Sequence, residues 1–338
     1  MASTPDFFVK LSAKYQAGSA TSSPPSSSEN KPLPAVAIVL GFYDGNAYLH
    51  QQISSILNQS HRNLQIFIAD DGSPAKIDPD RFNLSAADIG KIHIGERTAN
   101  VGFTRNFLEA LAAIDDPFDY YAFSDQDDIW HDDKIARALS VLQQYPDKAA
   151  LYCARTAITD EAGAANLGTS PLFSKPPGFA NALVQSIGGG NTMVFNKAAR
   201  DLIVAASAGQ QVVSHDWWCY QIVSGAGGIV YYDPEPCLKY RQHGGNLVGS
   251  NNSMAARFIR LFGLINGAFR EWNDTNMAAL SDNRALLTAE NQKKLDDFIE
   301  ARQNNLIKRL GLCRRNGIYR QTFLGNLGLW LGLLIKKV

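Results

Sequence analysis

A chain of 338 residues can bury a large core and allows one large domain or two modest ones. Its 32 Lys plus Arg balance 32 Asp plus Glu, so the basic excess of a nucleic-acid binder is missing. Cys153, Cys219, Cys237 and Cys313 form no CxxC pair and no Cys/His run of zinc spacing, which reads as buried thiols of a reduced compartment. No stretch reaches the roughly eighteen apolar residues that span a bilayer, and Asp6 to Val9 is too polar and short for a secretory signal, so a cytoplasmic protein is expected.

Residues 1–34 read as a flexible leader. Within it, 17–34 (AGSATSSPPSSSENKPLP) are Ser/Pro-rich with almost nothing apolar to offset the entropy of ordering, while Phe7, Phe8, Leu11 and Tyr15 suit a short amphipathic helix. The folded part is predicted to start at Ala35 to Gly41, a continuous apolar run that suits a strand covered on both faces. Leu49, Ile53, Ile56 and Leu57 then recur at helical spacing. Further strands are predicted at Leu64 to Ala69, Lys91 to Ile94 and Tyr120 to Phe123, with a helix over Asn106 to Ile114. This alternation implies an open, mainly parallel α/β sheet, in which ligands bind at the carboxyl ends of the strands. Three strands end there in polar clusters: Phe42-Tyr43-Asp44, Asp70-Asp71 and Asp125 to Asp128.

The last of these, in YYAFSDQDDIW, places Asp125, Asp127 and Asp128 within four residues. Carboxylates so close raise one another's pKa unless a cation joins them or they spread into water. A hard divalent ion carrying a phosphorylated ligand would relieve the repulsion, since Mg²⁺ takes one or two protein carboxylates and completes its shell with phosphate oxygens and water. The plainer alternative is a loop capping the next helix, although His131-Asp132-Asp133 can cap without it.

Beyond a helix at Lys134 to Gln144 and a strand at Ala149 to Ala154 the pattern loosens, with a Pro-rich loop near Pro171 to Pro177. Gly188, Gly189 and Gly190 permit close backbone approach to a ligand or make an ordinary turn before Met193 to Phe195 and an Asn196-capped helix. Ser214-His215-Asp216-Trp217-Trp218 offers aromatic planes to a sugar's C–H faces, or else an N-cap followed by buried indoles. After an apparent strand at Cys237 to Tyr240, Arg241 and His243 stand beside Gly244, Gly245 and Asn246. There a guanidinium could meet phosphate and an imidazole a metal, or the histidine could be structural. From Ser253 onward Phe258, Leu261, Phe262 and Ile265, then Leu295, Phe298 and Ile299, recur at helical spacing. The tail, Phe323 to Lys337, suits a helix lying on an anionic leaflet or one docked on the domain or a second subunit.

Taken in order, AIVLGFYDGNAYLHQQISSILNQSHRNLQIFIADDGS, NVGFTRNF, FSDQDDIW, HDWW and YRQHGGN resemble a family 2 glycosyltransferase, in particular its bacterial rhamnosyltransferase-like members, from Ala35 to Gly249. The resemblance implies the GT-A nucleotide-sugar fold over residues 35–250, a Rossmann-like, mostly parallel sheet flanked by helices, followed by a helical C-terminal region, 251–338. It also implies a nucleoside diphosphate sugar bound with Mg²⁺ or Mn²⁺, and inversion at the anomeric carbon.

By that resemblance Phe42, Tyr43 and Asp44, replacing a more usual Thr-Tyr-Asn, would lie near base and ribose. Asp71, beside Asp70, would accept from the pyrimidine N3–H. Gly102, Arg105 and Asn106 occupy an NxGxxxxRN-like segment, with Arg105 near the diphosphate or the acids. Asp125 would hold the ribose, Asp127 and His243 the metal, and Asp216 would be the base. Gly188, Gly189, Gly190, Asn191, Trp217 and Trp218 would shape the sugar and acceptor site, and Arg241 would meet phosphate. A QxxRW segment of processive members is missing, which implies one transfer per encounter.

The favoured donor is dTDP-rhamnose, then UDP-hexoses; the expected acceptor is a cell-surface glycan or a lipid-linked one, with peripheral contact to the cytoplasmic face of the membrane through the tail. A dehydrogenase is opposed by GFYDGN where its GxGxxG would stand. A non-catalytic glycan-binding or scaffold domain is opposed by the retained Asp127, Asp216 and His243.

Overall fold

The computed structural model describes residues 7–10, 32–115, 117–243 and 267–338. The expectations for Leu11, Tyr15, most of the Ser/Pro-rich leader, Gly244 to Asn246 and Phe258 to Ile265 fall outside them. In chain order the elements are β1 (Val9–Lys10), β2 (Val36–Phe42), α1 (Asn46–Leu57), β3 (Leu64–Asp70), α2 (Ala86–Ile89), β4 (Ile92–Glu96), α3 (Phe103–Ala112), β5 (Tyr120–Ser124), β6 (Ile129–Trp130), α4 (Lys134–Leu142), β7 (Ala150–Thr159), β8 (Asn166–Thr169), α5 (Phe179–Ala182), β9 (Val194–Asn196), α6 (Lys197–Ser207), α7 (His215–Gly225) and β10 (Ile229–Arg241). Helices Ala268–Asp282, Ala289–Gln303, Leu306–Arg315 and Phe323–Leu334 complete the described chain.

One sheet runs β1-β4-β3-β2-β5-β9-β7-β10-β6, with β8 on β7. Neighbours among β4, β3, β2 and β5 are parallel, as the βα alternation predicts, and β7 and β10 are parallel too. Between them β9 is inserted antiparallel to both β5 and β7. The result is a mostly parallel α/β sheet flanked by helices, with a helical C-terminal region. β2 shows why its apolar run is unbroken: Ala37 and Val39 face Phe107 and Leu111 of α3, while Val36, Ile38 and Leu40 face Leu49, Ile53 and Ile56 of α1. A strand covered on both sides has no solvent face to mark with polar residues.

Three elements depart from expectation. Val9–Lys10, in the leader where Phe7 and Phe8 suggested a short helix, is a strand antiparallel to β4, with Phe7 and Phe8 packed on the core. α3 begins at Phe103, earlier than its apolar periodicity, because Gly102 takes φ 88 at the N-cap and turns the chain into the helix. β10 spans thirteen residues where only Cys237 to Tyr240 had strand character. Pro234 and Pro236 conceal it, lying where the register with β7 shifts and a missing N–H is tolerated. Asn196 caps α6 as expected, accepting from the Ala199 amide at 3.0 Å. The tail helix docks on the domain through Leu329 and Leu333, leaving its opposite side exposed. Among the described residues no helix is long and apolar enough to cross a membrane.

Candidate active site

Register decides where the polar clusters meet. Phe42 lies opposite Asp70 across β2 and β3, and Leu40 lies opposite Ser124 across β2 and β5, so three loops leave the sheet along one edge. Gln126 latches two of them: its Oε1 accepts from the Tyr43 amide at 2.8 Å and its Nε2 donates to the Tyr43 carbonyl at 3.1 Å. A Cβ at Gly45 would sit 2.1 Å from the Gln126 amide carbon, which explains that glycine. Asp44 adopts φ 47 and donates its N–H to Ser73 Oγ at 2.9 Å; the Tyr43 ring is exposed.

The acidic loop divides into two kinds of carboxylate. Asp128 is buried: Oδ2 accepts from Asn191 Nδ2 at 2.7 Å, Oδ1 has no partner among the described residues, and burial beside Asp125 and Asp127 holds its pKa well above the usual carboxylate range. Under it lies Lys134, also buried, its Nζ donating to the Asn191 carbonyl at 2.5 Å and standing 3.2 Å from the Trp130 ring centroid. Burial lowers that ammonium to about 8. Asp125 and Asp127 are only partly covered. Asp125 is pushed up to about 7 by burial, then by the Asp127 and Asp216 carboxylates, so Asp216, from the first turn of α7, shares the field of the acidic loop. Asp216 Oδ2 takes a long bond, 3.4 Å, from Ser186 Oγ.

Asp127 Oδ2 lies 2.8 Å from His243 Nε2. His243 stacks on Tyr48 with ring centroids 4.7 Å apart, and the Tyr48 hydroxyl donates to Glu161 at 2.6 Å. Two atoms occupying adjacent positions around an octahedral ion at about 2.1 Å would be about 3 Å apart, so this pair fits neighbouring ligand positions. Among the described residues no group of three or more His, Cys, Asp or Glu is gathered for a metal. Two protein ligands suit an ion whose other positions go to phosphate and water, as Mg²⁺ prefers.

The sequence model for "Glycosyl transferase family 2" matches residues 37–203, and a dTDP-rhamnosyl transferase, RfbG of Shigella flexneri, is 30% identical over 249 residues, 71% of this chain and 84% of that protein. The chain belongs to glycosyl transferase family 2. An uncharacterized glycosyltransferase of Haemophilus influenzae is 30% identical over 117 residues, 33% of this chain and 44% of that protein. Among solved structures, S. aureus TarS 1-349 in complex with UDP-GlcNAc is 10% identical, covering 83% of this chain and 89% of its own with a TM-score of 0.49. The mannosyltransferase PcManGT from Pyrobaculum calidifontis, in complex with GDP-Man and Mn²⁺, is 13% identical, covering 96% and 92% with a TM-score of 0.47.

Several residues expected to face ligand have other neighbours in this glycosyltransferase. Trp217 and Trp218 are core residues, not a sugar-facing wall: their indole N–H groups donate to the Ala182 carbonyl at 2.6 Å and Ser207 Oγ at 3.0 Å, because positions three and four of α7 turn into the domain. Arg241 is buried against the Glu161 carbonyl, 2.8 Å from Nη1, and Gln51, so its guanidinium is occupied by protein instead of phosphate. The Phe42 ring is buried, and its carbonyl accepts from the Asp71 amide at 2.9 Å.

Asp71 clamps the loop before α3, accepting from the Val101 and Gly102 amides at 2.8 and 2.9 Å, and is itself almost wholly buried. Asp70 Oδ1 accepts from the Ser73 amide and hydroxyl at 2.9 and 2.6 Å, while its buried Oδ2 has no partner among the described residues. Arg105 is exposed and pairs with Glu109 at 2.5 Å. The cation near Asp71, at 4.0 Å, is Arg97, which also donates to Asn106 at 2.8 Å. Its one sequence signal was its place immediately after β4.

Asn191 is a buried brace between Asp128 and Lys134 rather than a surface toward sugar. Gly189 and Gly190 serve packing: Cβ atoms there would lie 2.6 Å from Asn191 Oδ1 and 2.0 Å from His215 Nε2. His215, to which the sequence assigned no role, is buried, stacked on Phe107 with centroids 4.2 Å apart, and neither ring nitrogen has a partner among the described residues. Burial lowers it to about 4.

Proposed function

We propose that this glycosyltransferase moves one rhamnose from dTDP-rhamnose to a hydroxyl of a cell-surface glycan or lipid-linked acceptor, with inversion, in the presence of Mg²⁺ or Mn²⁺. The observation that carries the reading is the acidic loop after β5, in which Asp127 Oδ2 is met by His243 Nε2 at 2.8 Å from a residue more than a hundred positions away. The 30% identity to a dTDP-rhamnosyl transferase supports the donor. Four buried, unpaired cysteines support a reducing, cytoplasmic location.

In this reading Asp127 and His243 hold the divalent ion. Once bound, it supplies positive charge beside the departing diphosphate. Asp125, just after β5, accepts from the ribose hydroxyls in this reading. The exposed Tyr43 ring is the aromatic surface available to the base at the same edge. Asp216 accepts the proton of the acceptor hydroxyl as its oxygen bonds to the anomeric carbon and the carbon–phosphate-oxygen bond breaks; the electron pair leaves with dTDP. Attack from the face opposite the leaving group inverts the centre, and no sugar is ever bonded to the protein.

The test is a panel of nucleotide sugars, including UDP-hexoses, offered with Mn²⁺ while transfer and calorimetric binding are read. Rhamnose transfer from dTDP-rhamnose is expected; transfer from a UDP-hexose alone would overturn the donor. Asp127→Ala should abolish the Mn²⁺-dependent part of nucleotide binding, and unchanged metal-dependent affinity would remove Asp127 from the metal site.

A further inference from the structure

The helix Phe323–Leu334 has two apolar sides, and the fold covers only one. Leu329, Gly332 and Leu333 are buried against the domain. Phe323, Leu324, Leu327, Leu331, Leu334 and Ile335 are between 43% and 83% exposed. At about 100° per residue these six lie within an arc of about 120°, centred opposite the docked side. Scattered exposed leucines need no explanation, but a continuous stripe does.

Charge identifies what covers it. Residues 301–338 hold eight Lys and Arg and no Asp or Glu; Arg302, Lys308 and Arg315 pair with Asp274, Glu300 and Asp297 and Arg309 is buried, so the excess rests on Arg314, Arg320, Lys336 and Lys337. Arg314 and Lys336 are exposed, and Arg314 lines a cleft of about 450 Å³ with Leu310, Gly311 and Trp330, between this helix and its neighbour Leu306–Arg315. A guanidinium between a leucine and an indole suits a phosphate with apolar chains attached. A second copy of the chain meeting this face across a twofold axis would set cations against cations.

We propose that this face seats the enzyme on an anionic lipid surface, with the six apolar side chains entering the headgroup region and the cations meeting lipid phosphates. The proposal does not depend on the donor or on catalysis, since attachment is read without nucleotide sugar.

The test is sedimentation of the full chain with vesicles of phosphatidylcholine alone or mixed equally with phosphatidylglycerol. Binding to the mixed vesicles should exceed binding to the neutral ones by about tenfold or more, and salt should weaken it. The double substitution Leu327→Gln with Leu331→Gln should lower the partition by about tenfold while melting temperature holds, since both side chains are exposed. Should that variant melt early, Phe323→Ser, at the most exposed position, is read instead. Equal binding to both vesicle types, or unchanged binding by a folded variant, overturns the proposal. A wild type that sediments as a dimer, made monomeric by the substitutions with vesicle binding unaltered, overturns it in favour of a second copy.

Discussion

His215→Phe isolates one buried titration. The imidazole is flanked by Phe107, stacked at 4.2 Å, and by Phe123 and Phe103 edge-on at 5.0 and 5.9 Å, so a phenyl ring keeps the packing while removing the proton site. Folding lowers the imidazole from 6.5 to about 4, burial outweighing the opposing pull of the Asp216 carboxylate. Between those values the unfolded chain binds a proton that the folded chain refuses, so stability falls as pH falls. At about 1.36 kcal/mol per pKa unit, the loss reaches about 3 kcal/mol below pH 4 and about 2 kcal/mol at pH 5, and is almost nil at pH 7. Reversible urea unfolding at pH 7 and pH 5, for wild type and His215→Phe, reads the difference. Other groups titrate in both proteins and cancel, so the variant should gain about 2 kcal/mol relative to wild type on acidification. Parallel pH profiles would refute the reasoning and mean that the ring is protonated, or bonded, in the folded protein.

Asp216→Asn should leave calorimetric donor affinity nearly unchanged while steady-state turnover drops about a hundredfold or more; wild-type turnover would mean another group takes the proton. Trp218→Ala should cost about 3–5 kcal/mol in urea unfolding without a selective rise in KM, as a core indole predicts, whereas intact stability with a raised KM would restore the sugar-facing role. Gly190→Ala places a methyl where His215 Nε2 now lies and should cost about 1–3 kcal/mol, read by the same unfolding; an unperturbed midpoint would show that the ring moves aside freely.

The parallel half of the sheet was legible because a strand covered on both faces is nearly apolar throughout: β2 is wholly so, and β3 and β5 depart from it only at Gln65, Asp70 and Ser124. Its polar ends were legible for the same reason, since Asp70, Asp71 and Asp125 close runs that are otherwise nearly apolar. What could not be read was direction. Trp217 and Asp216 are adjacent in sequence, yet a helix turns them about 100° apart, one into the core and one toward the acids. Whether Arg241 serves phosphate or protein depends on Gln51 and Glu161, distant residues that only the fold brings to it. β10 stayed hidden because proline is counted against strands unless the register shift that accommodates it is known.

The buried layer under the site bears on how the exposed acids work. Gly190 admits His215, the same short turn carries Asn191, and Asn191 bonds Asp128 through its side chain and Lys134 through its carbonyl. One loop therefore ties the acidic segment after β5 to the first turn of α7, where Asp216 sits. Burial holds the Asp128 carboxyl well above the usual carboxylate range, and Lys134 donates to the Asn191 carbonyl, so this layer rests on hydrogen bonds through Asn191 rather than on an ion pair. In the proposed function the partly covered acids beside this layer, Asp125, Asp127 and Asp216, are the groups that would meet a cation and a diphosphate, whose joint arrival would relieve their mutual repulsion.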